Sequence, residues 1–111
     1  MTVRRNDAQR VADVLRSVSR LEEVLEGGYS EFAGSWLVQS AVTRELEVIG
    51  EAAGEVSSPT RKGHPEIEWE KMRDFSSFAK HEYWRMDPRR LWAAVEEVPS
   101  LKRKIGLVIP P

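Results

Sequence analysis

The amino-acid sequence predicts an all-α protein, a single domain over residues 1–111 built as an antiparallel bundle of four to five helices. Three observations lead there. Apolar residues recur at intervals of three and four along most of the chain, the period of a helix with one buried face. No useful length of chain alternates apolar and polar residues as a half-buried strand does, and no segment repeats. Cap and stop residues bracket each periodic stretch.

The first helix is expected to open at Asn6, whose side chain can accept from the free amides, with Gln9 placed three residues on to complete a capping box. Val11, Val14, Leu15, Val18, Leu21 and Leu25 then form one apolar stripe, and Gly27-Gly28 stops it. Ser30 can cap a second helix running through Phe32, Leu37, Ala41, Leu46, Ile49 and Ala53 and fading near Val56. Ser57-Ser58-Pro59 reads as a loop, extended by Gly63 and Pro65. A third helix is expected from about Glu66, carrying Trp69, Met72, Phe75, Phe78 and Ala79. Asp87-Pro88 is a restart signal, the aspartate as cap and the proline in the first turn. Leu91, Trp92 and Val95 make the last apolar face. Pro99 removes a backbone donor and predicts a kink or break before Leu101 and Ile105.

Composition narrows the function classes. The chain has no cysteine, which removes disulfides and thiolate metal sites. No apolar run approaches the roughly 18 residues of a membrane span. Arg4, Arg5 and Asp7 lead into an amphipathic stretch rather than the apolar core of a signal peptide, so a cytoplasmic protein is expected. The net charge of −1 is unevenly spread: residues 1–60 carry net −4 and residues 61–111 net +3. This split permits local contact with phosphates from the C-terminal half, at a focused site rather than through bulk charge. Four tryptophans, Trp36, Trp69, Trp84 and Trp92, exceed what one small core encloses. Some are expected at the interface of a homodimer, where aromatics are enriched.

The chemistry-bearing stretch runs from Met72 to Tyr83. It places Arg73, Asp74, His81 and Tyr83 near the end of one helix. Arginine is a permanent cation suited to phosphate, and histidine moves protons near neutral pH. Eight residues on an ideal helix separate Arg73 and His81 by about 12 Å along the axis and about 80° around it. Tyr83 lies about 200° beyond His81, so both share a face only if the helix ends there. Neither His64 nor His81 belongs to a metal-ligand spacing, and no cofactor is expected. Gly27-Gly28 lacks the lysine of a phosphate-binding loop.

Met72-Arg73-Asp74 followed by His81-Glu82-Tyr83 resembles the Arg…His-x-Tyr signature of HepT-like proteins of the HEPN superfamily. Three further stretches match in order: Glu47 to Ala53 the second-helix motif, His64 to Trp69 the lead-in, and Asp87 to Trp92 the helix restart. The resemblance implies a dimerising helical bundle, with an Arg…His set from each subunit lining a shared cleft. It implies a metal-independent ribonuclease acting as a toxin, neutralised by a small nucleotidyltransferase antitoxin that in some pairs transfers AMP to the motif tyrosine. By motif match Arg73 and His81 become the catalytic pair, Asp74 a supporting residue and Tyr83 the modification site. Seven residues stand between Arg73 and His81, where the family usually has four to six. Relative to the shortest form, the arginine moves about 4.5 Å along the axis but only about 60° in direction. Lys80 and Arg85 are expected to add positive charge beside the phosphate. The alternative is a catalytically silent module that docks a nucleotidyltransferase, and a third is a purely structural helical dimer.

Overall fold

A computed structural model of the chain describes residues 6–81 and 87–108. Among the described residues every regular element is helical: α1 (Asp7–Val24), α2 (Gly28–Ala33), α3 (Trp36–Glu55), α4 (Ser58–Gly63), α5 (Trp69–Lys80), α6 (Pro88–Val95) and α7 (Val98–Ile105). None is long and apolar enough to cross a membrane. The long helices α1, α3 and α5 form the body, with α3 packed between the other two. Short helices close the ends, α7 against α1 and α6 against α2 and α3.

Paired contacts fix the directions. Asp7 at the start of α1 binds Ser57 just beyond α3, and Arg20 near the other end faces Glu45 at 3.9 Å. Gly54 of α3 meets Arg73 of α5, while Gly50, one turn earlier, meets Ser76, one turn later. Both pairs of neighbours therefore run antiparallel. The core they enclose includes Phe32, Leu46, Ile49, Met72, Leu91 and Ile105, none with measurable exposure. Burying each such side chain contributes about 1.5–3 kcal/mol before the entropy of ordering it.

Local chemistry explains the boundaries. Asn6 and Gln9 form the capping box, each backbone amide donating to the other's side chain at 2.8 Å. Gly28 adopts a φ of 75°, the left-handed conformation that ends a helix, and its amide donates to the Leu25 carbonyl at 3.0 Å. Asp87 caps α6 through the Arg89 amide at 3.0 Å. Pro99 lies in the first turn of a separate helix, α7, so the expected interruption is a full break.

Three expectations need correction. The second helix is not continuous from Ser30: it divides at Gly34-Ser35 into α2 and α3. Ser35 Oγ accepts from the Val38 amide at 3.1 Å, and the Gln39 amide group donates back to the carbonyls of Phe32 and Ala33 at 3.0 and 3.2 Å. Both sides of the break are thereby satisfied. Ser57-Ser58-Pro59 is not simply loop, because Ser58 and Pro59 begin α4. Proline there gives up an amide that the first turn would leave unbonded in any case. Finally, α5 starts at Trp69 rather than Glu66, and the Trp69 indole donates to the His64 carbonyl at 3.1 Å.

The tryptophans separate. Trp69 is buried, and Trp92 is half-buried against Tyr29 and Phe32, with ring centroids 5.2 Å away in each case. Trp36 is 74% exposed beside Leu37 at 64%, on the first turn of α3. Trp84 lies outside the described residues.

Two tests follow from the packing. A Cβ on Gly50 would stand 2.5 Å from the Ser76 amide nitrogen and 3.0 Å from the Met72 carbonyl, both backbone atoms that cannot step aside. Gly50→Ala is expected to lower stability by about 1–3 kcal/mol in urea unfolding followed by circular dichroism, despite alanine's better helix propensity. Gly63→Ala, with nothing within 4 Å, is expected to change it by less than about 0.5 kcal/mol.

The second concerns the clasp between α1 and α4. The Asp7 carboxylate accepts from the Ser57 amide at 2.9 Å and from the Ser57 and Thr60 hydroxyls. Hydrogen bonds from the Ser57 and Thr60 hydroxyls, then from the Ser57 amide, hold its pKa below the usual carboxylate value. A lowered folded-state pKa stabilises the fold above the unfolded value near 4, and that stability is lost as pH falls through the folded value. Asp7→Ala is expected to cost about 1 kcal/mol at pH 7, at the modest end because water screens the carboxylate. The gap between variant and wild type should close as denaturation is repeated from pH 5 downward.

Candidate active site

Two glycines one turn apart on α3 open a groove. Gly50 lets the α5 backbone approach, and Gly54 leaves a bare strip on which Arg73 lies. An ideal Cβ at Gly54 would stand 3.7 Å from Arg73 Nε and 3.8 Å from its Cγ. The groove encloses about 630 Å³. Its walls come from three helices: Arg10 from α1; Glu51 and Glu55 beside the glycines of α3; and Glu70, Arg73, Asp74, Ser76 and Ser77 from α5.

Its electrostatics are mixed. The Arg73 guanidinium has Glu70 Oε1 3.4 Å away on the preceding turn, a half-exposed pair in which Glu70 is the more open partner. Lys80 in the last turn of α5 reaches to 3.8 Å of Glu51. Four carboxylates thus border the groove with two arginines, while Lys80 partly neutralises one of them. A phosphate entering here meets a guanidinium whose charge Glu70 partly offsets.

The predicted site residues divide in three ways. Arg73 and Asp74 share the groove. Lys80 is tied to its rim through Glu51. His81 is exposed at the C-cap of α5, its amide donating to the Ser77 carbonyl at 3.1 Å, and is not among the residues lining the groove. The helix is regular from Trp69 to Lys80, so the separation of about 12 Å expected from helix geometry applies to Arg73 and His81 within one chain. Tyr83 and Arg85 lie outside the described residues.

Sequence reasoning missed four contributors. Gly54, Glu55, Glu70 and Arg10 carry no motif. The spacing Gly50-x-x-x-Gly54 was the available signal for a close helix contact, since only small residues permit one. Arg10 offered none, being an ordinary polar position four residues into an amphipathic helix.

Comparison with known proteins places this geometry in context. A family model described as "Ribonuclease HepT-like" matches residues 14–108. A Thermococcus cleftensis protein named "Probable ribonuclease HepT" is 34% identical over 104 residues, covering 92% of this chain and 94% of its own length. A Methanocaldococcus jannaschii protein named "Putative RNase MJ1380" is 32% identical over 98 residues, covering 86% and 90% respectively. No solved structure matches the chain.

Proposed function

The chain belongs to the HepT-like ribonuclease family, and from that membership we propose that it is a metal-independent endoribonuclease acting through Arg73 and His81. The observation that carries the proposal is the placement of Arg73 on a bare glycine strip in a groove of nucleotide size, on the same helix that ends at His81. Neutral His81 takes the proton of a ribose 2′-hydroxyl. The freed oxygen attacks the adjacent phosphorus, and Arg73 stabilises the charge that gathers on the phosphoryl oxygens. The 5′-oxygen leaves with a proton from a second imidazole, giving a 2′,3′-cyclic phosphate and a 5′-hydroxyl. DNA, without the 2′-hydroxyl, is spared.

One imidazole cannot stand on both sides of the phosphorus at once. A homodimer supplies the second, since a two-fold axis duplicates every group around a shared cleft. The exposed Trp36 and Leu37 support an oligomer, because large apolar side chains are seldom left paired in water without use. The protein then acts as the toxin of a pair. Its nucleotidyltransferase antitoxin silences it by transferring AMP to Tyr83, adding negative charge and bulk beside His81.

A second reading, the silent module that docks a nucleotidyltransferase, draws on one observation: Glu70 already occupies Arg73. RNA cleavage in EDTA separates the two. The wild-type protein is expected to cut RNA and not DNA of the same sequence. His81→Ala is expected to be slower by about 100-fold or more, the usual contribution of a positioned acid–base group. Equal cutting by both proteins would remove His81 from the mechanism, and no cutting by either would favour the silent module.

Glu70 gives a finer test. An exposed ion pair is worth no more than about 1 kcal/mol, so Glu70→Gln is expected to lower KM for RNA by up to about fivefold, with kcat little changed. Raised salt should narrow the difference between the two proteins.

A further inference from the structure

Three buried side-chain atoms among the described residues have no hydrogen-bond partner: Arg10 Nε, Arg61 Nε and Glu45 Oε1. Of these residues, Arg10 alone borders the groove that holds Arg73. A buried donor without an acceptor costs about 1–3 kcal/mol, more when it is charged. An arginine cannot shed its proton to escape that cost. Arg10 makes no ion pair among the described residues, although Glu51, Glu55, Glu70 and Asp74 border the same groove. A structural arginine would be expected to take one of them. Arg10 is half-buried, its Nε covered while the residue lines the groove, and no carboxylate pairs with it among the described residues.

We propose that Arg10 is a second phosphate-binding residue, and that the groove holds one RNA phosphodiester between the guanidiniums of Arg10 and Arg73. The assignment rests on the ribonuclease reading for its ligand. Two guanidiniums from different helices approach a phosphate from two sides, and each can give a forked pair of hydrogen bonds to its oxygens. Arg73 shares part of its charge with Glu70, whereas Arg10 has no ion pair among the described residues. Arg10 adds the charge that offsets the repulsion from the surrounding carboxylates.

The test uses a 2′-O-methyl oligonucleotide, which binds as RNA does but has no 2′-hydroxyl to be cut. Fluorescence anisotropy over a range of salt concentrations compares wild type, Arg10→Gln and Arg103→Gln, the last an exposed position on α7 away from the groove. Arg10→Gln is expected to bind about tenfold more weakly. Its plot of log affinity against log salt should flatten by about 0.7, one phosphate contact to a single strand. Arg103→Gln should change neither.

Wild type that cuts RNA, with Arg10→Gln binding and cutting equally well, overturns the role of Arg10 and leaves the ribonuclease reading intact. Binding that depends on Arg10 in a protein that cuts no RNA keeps the phosphate site and removes the ribonuclease reading. A wild-type protein that neither binds nor cuts overturns both. Should Arg10→Gln fail to fold, the Nε–H resonance of Arg10 in the wild-type protein decides. Movement of the Arg10 and Arg73 signals on titration, with Arg103 unmoved, supports the clamp, and an Arg10 signal unchanged at saturation overturns it.

Discussion

The close crossing of α3 and α5 at Gly50 is the constraint on which the remainder of the molecule depends. A missing side chain there lets Ser76 seat its backbone where a Cβ would otherwise stand. That depth of approach sets the register of α5, and the register places Met72 in the core and Arg73 over Gly54. The same pair of glycines therefore serves packing and site together. Gly50 draws the helices close, and Gly54, one turn further, leaves the space into which the arginine folds. A bundle of this size has few large side chains to spare, so such economy is needed to combine a closed core with an open groove.

Features written within a few residues of one another were legible in the sequence. Asn6 and Gln9, Asp87 and Pro88, and the interruption at Pro99 are each complete signals within four positions, and each acts as it reads. Gly34-Ser35 was equally local. It was hidden because Trp36 and Leu37 continue the apolar spacing, and both turned out to face water. The short helix α4 was not legible for a different reason. Its first turn is held by Asp7, fifty residues earlier in the chain, and no local pattern carries that information.

The site divides along the same line. The Arg…His-x-Tyr motif singled out Arg73 and His81, but the groove around Arg73 is a property of three helices. Arg10 and Glu55 reach it only through the packing of α1 and α3. Their chemistry is visible only once the fold has brought them beside α5. The net charge of the C-terminal half permitted local phosphate contact, whereas the groove itself mixes carboxylates with arginines. Charge counted along the chain is a poor guide where helices of opposite balance share one wall.

The position of His81 at the C-cap of α5 has a thermal consequence. Helix ends open and close with free energies near zero while the buried middle opens only with the whole fold. Arg73 sits over the anchored crossing, and His81 sits at the C-cap of the same helix. In the mechanism proposed above, phosphate binding and proton transfer would therefore belong to the middle and the end of one helix. If that mechanism holds, warming would weaken proton transfer at the helix end before phosphate binding at the crossing.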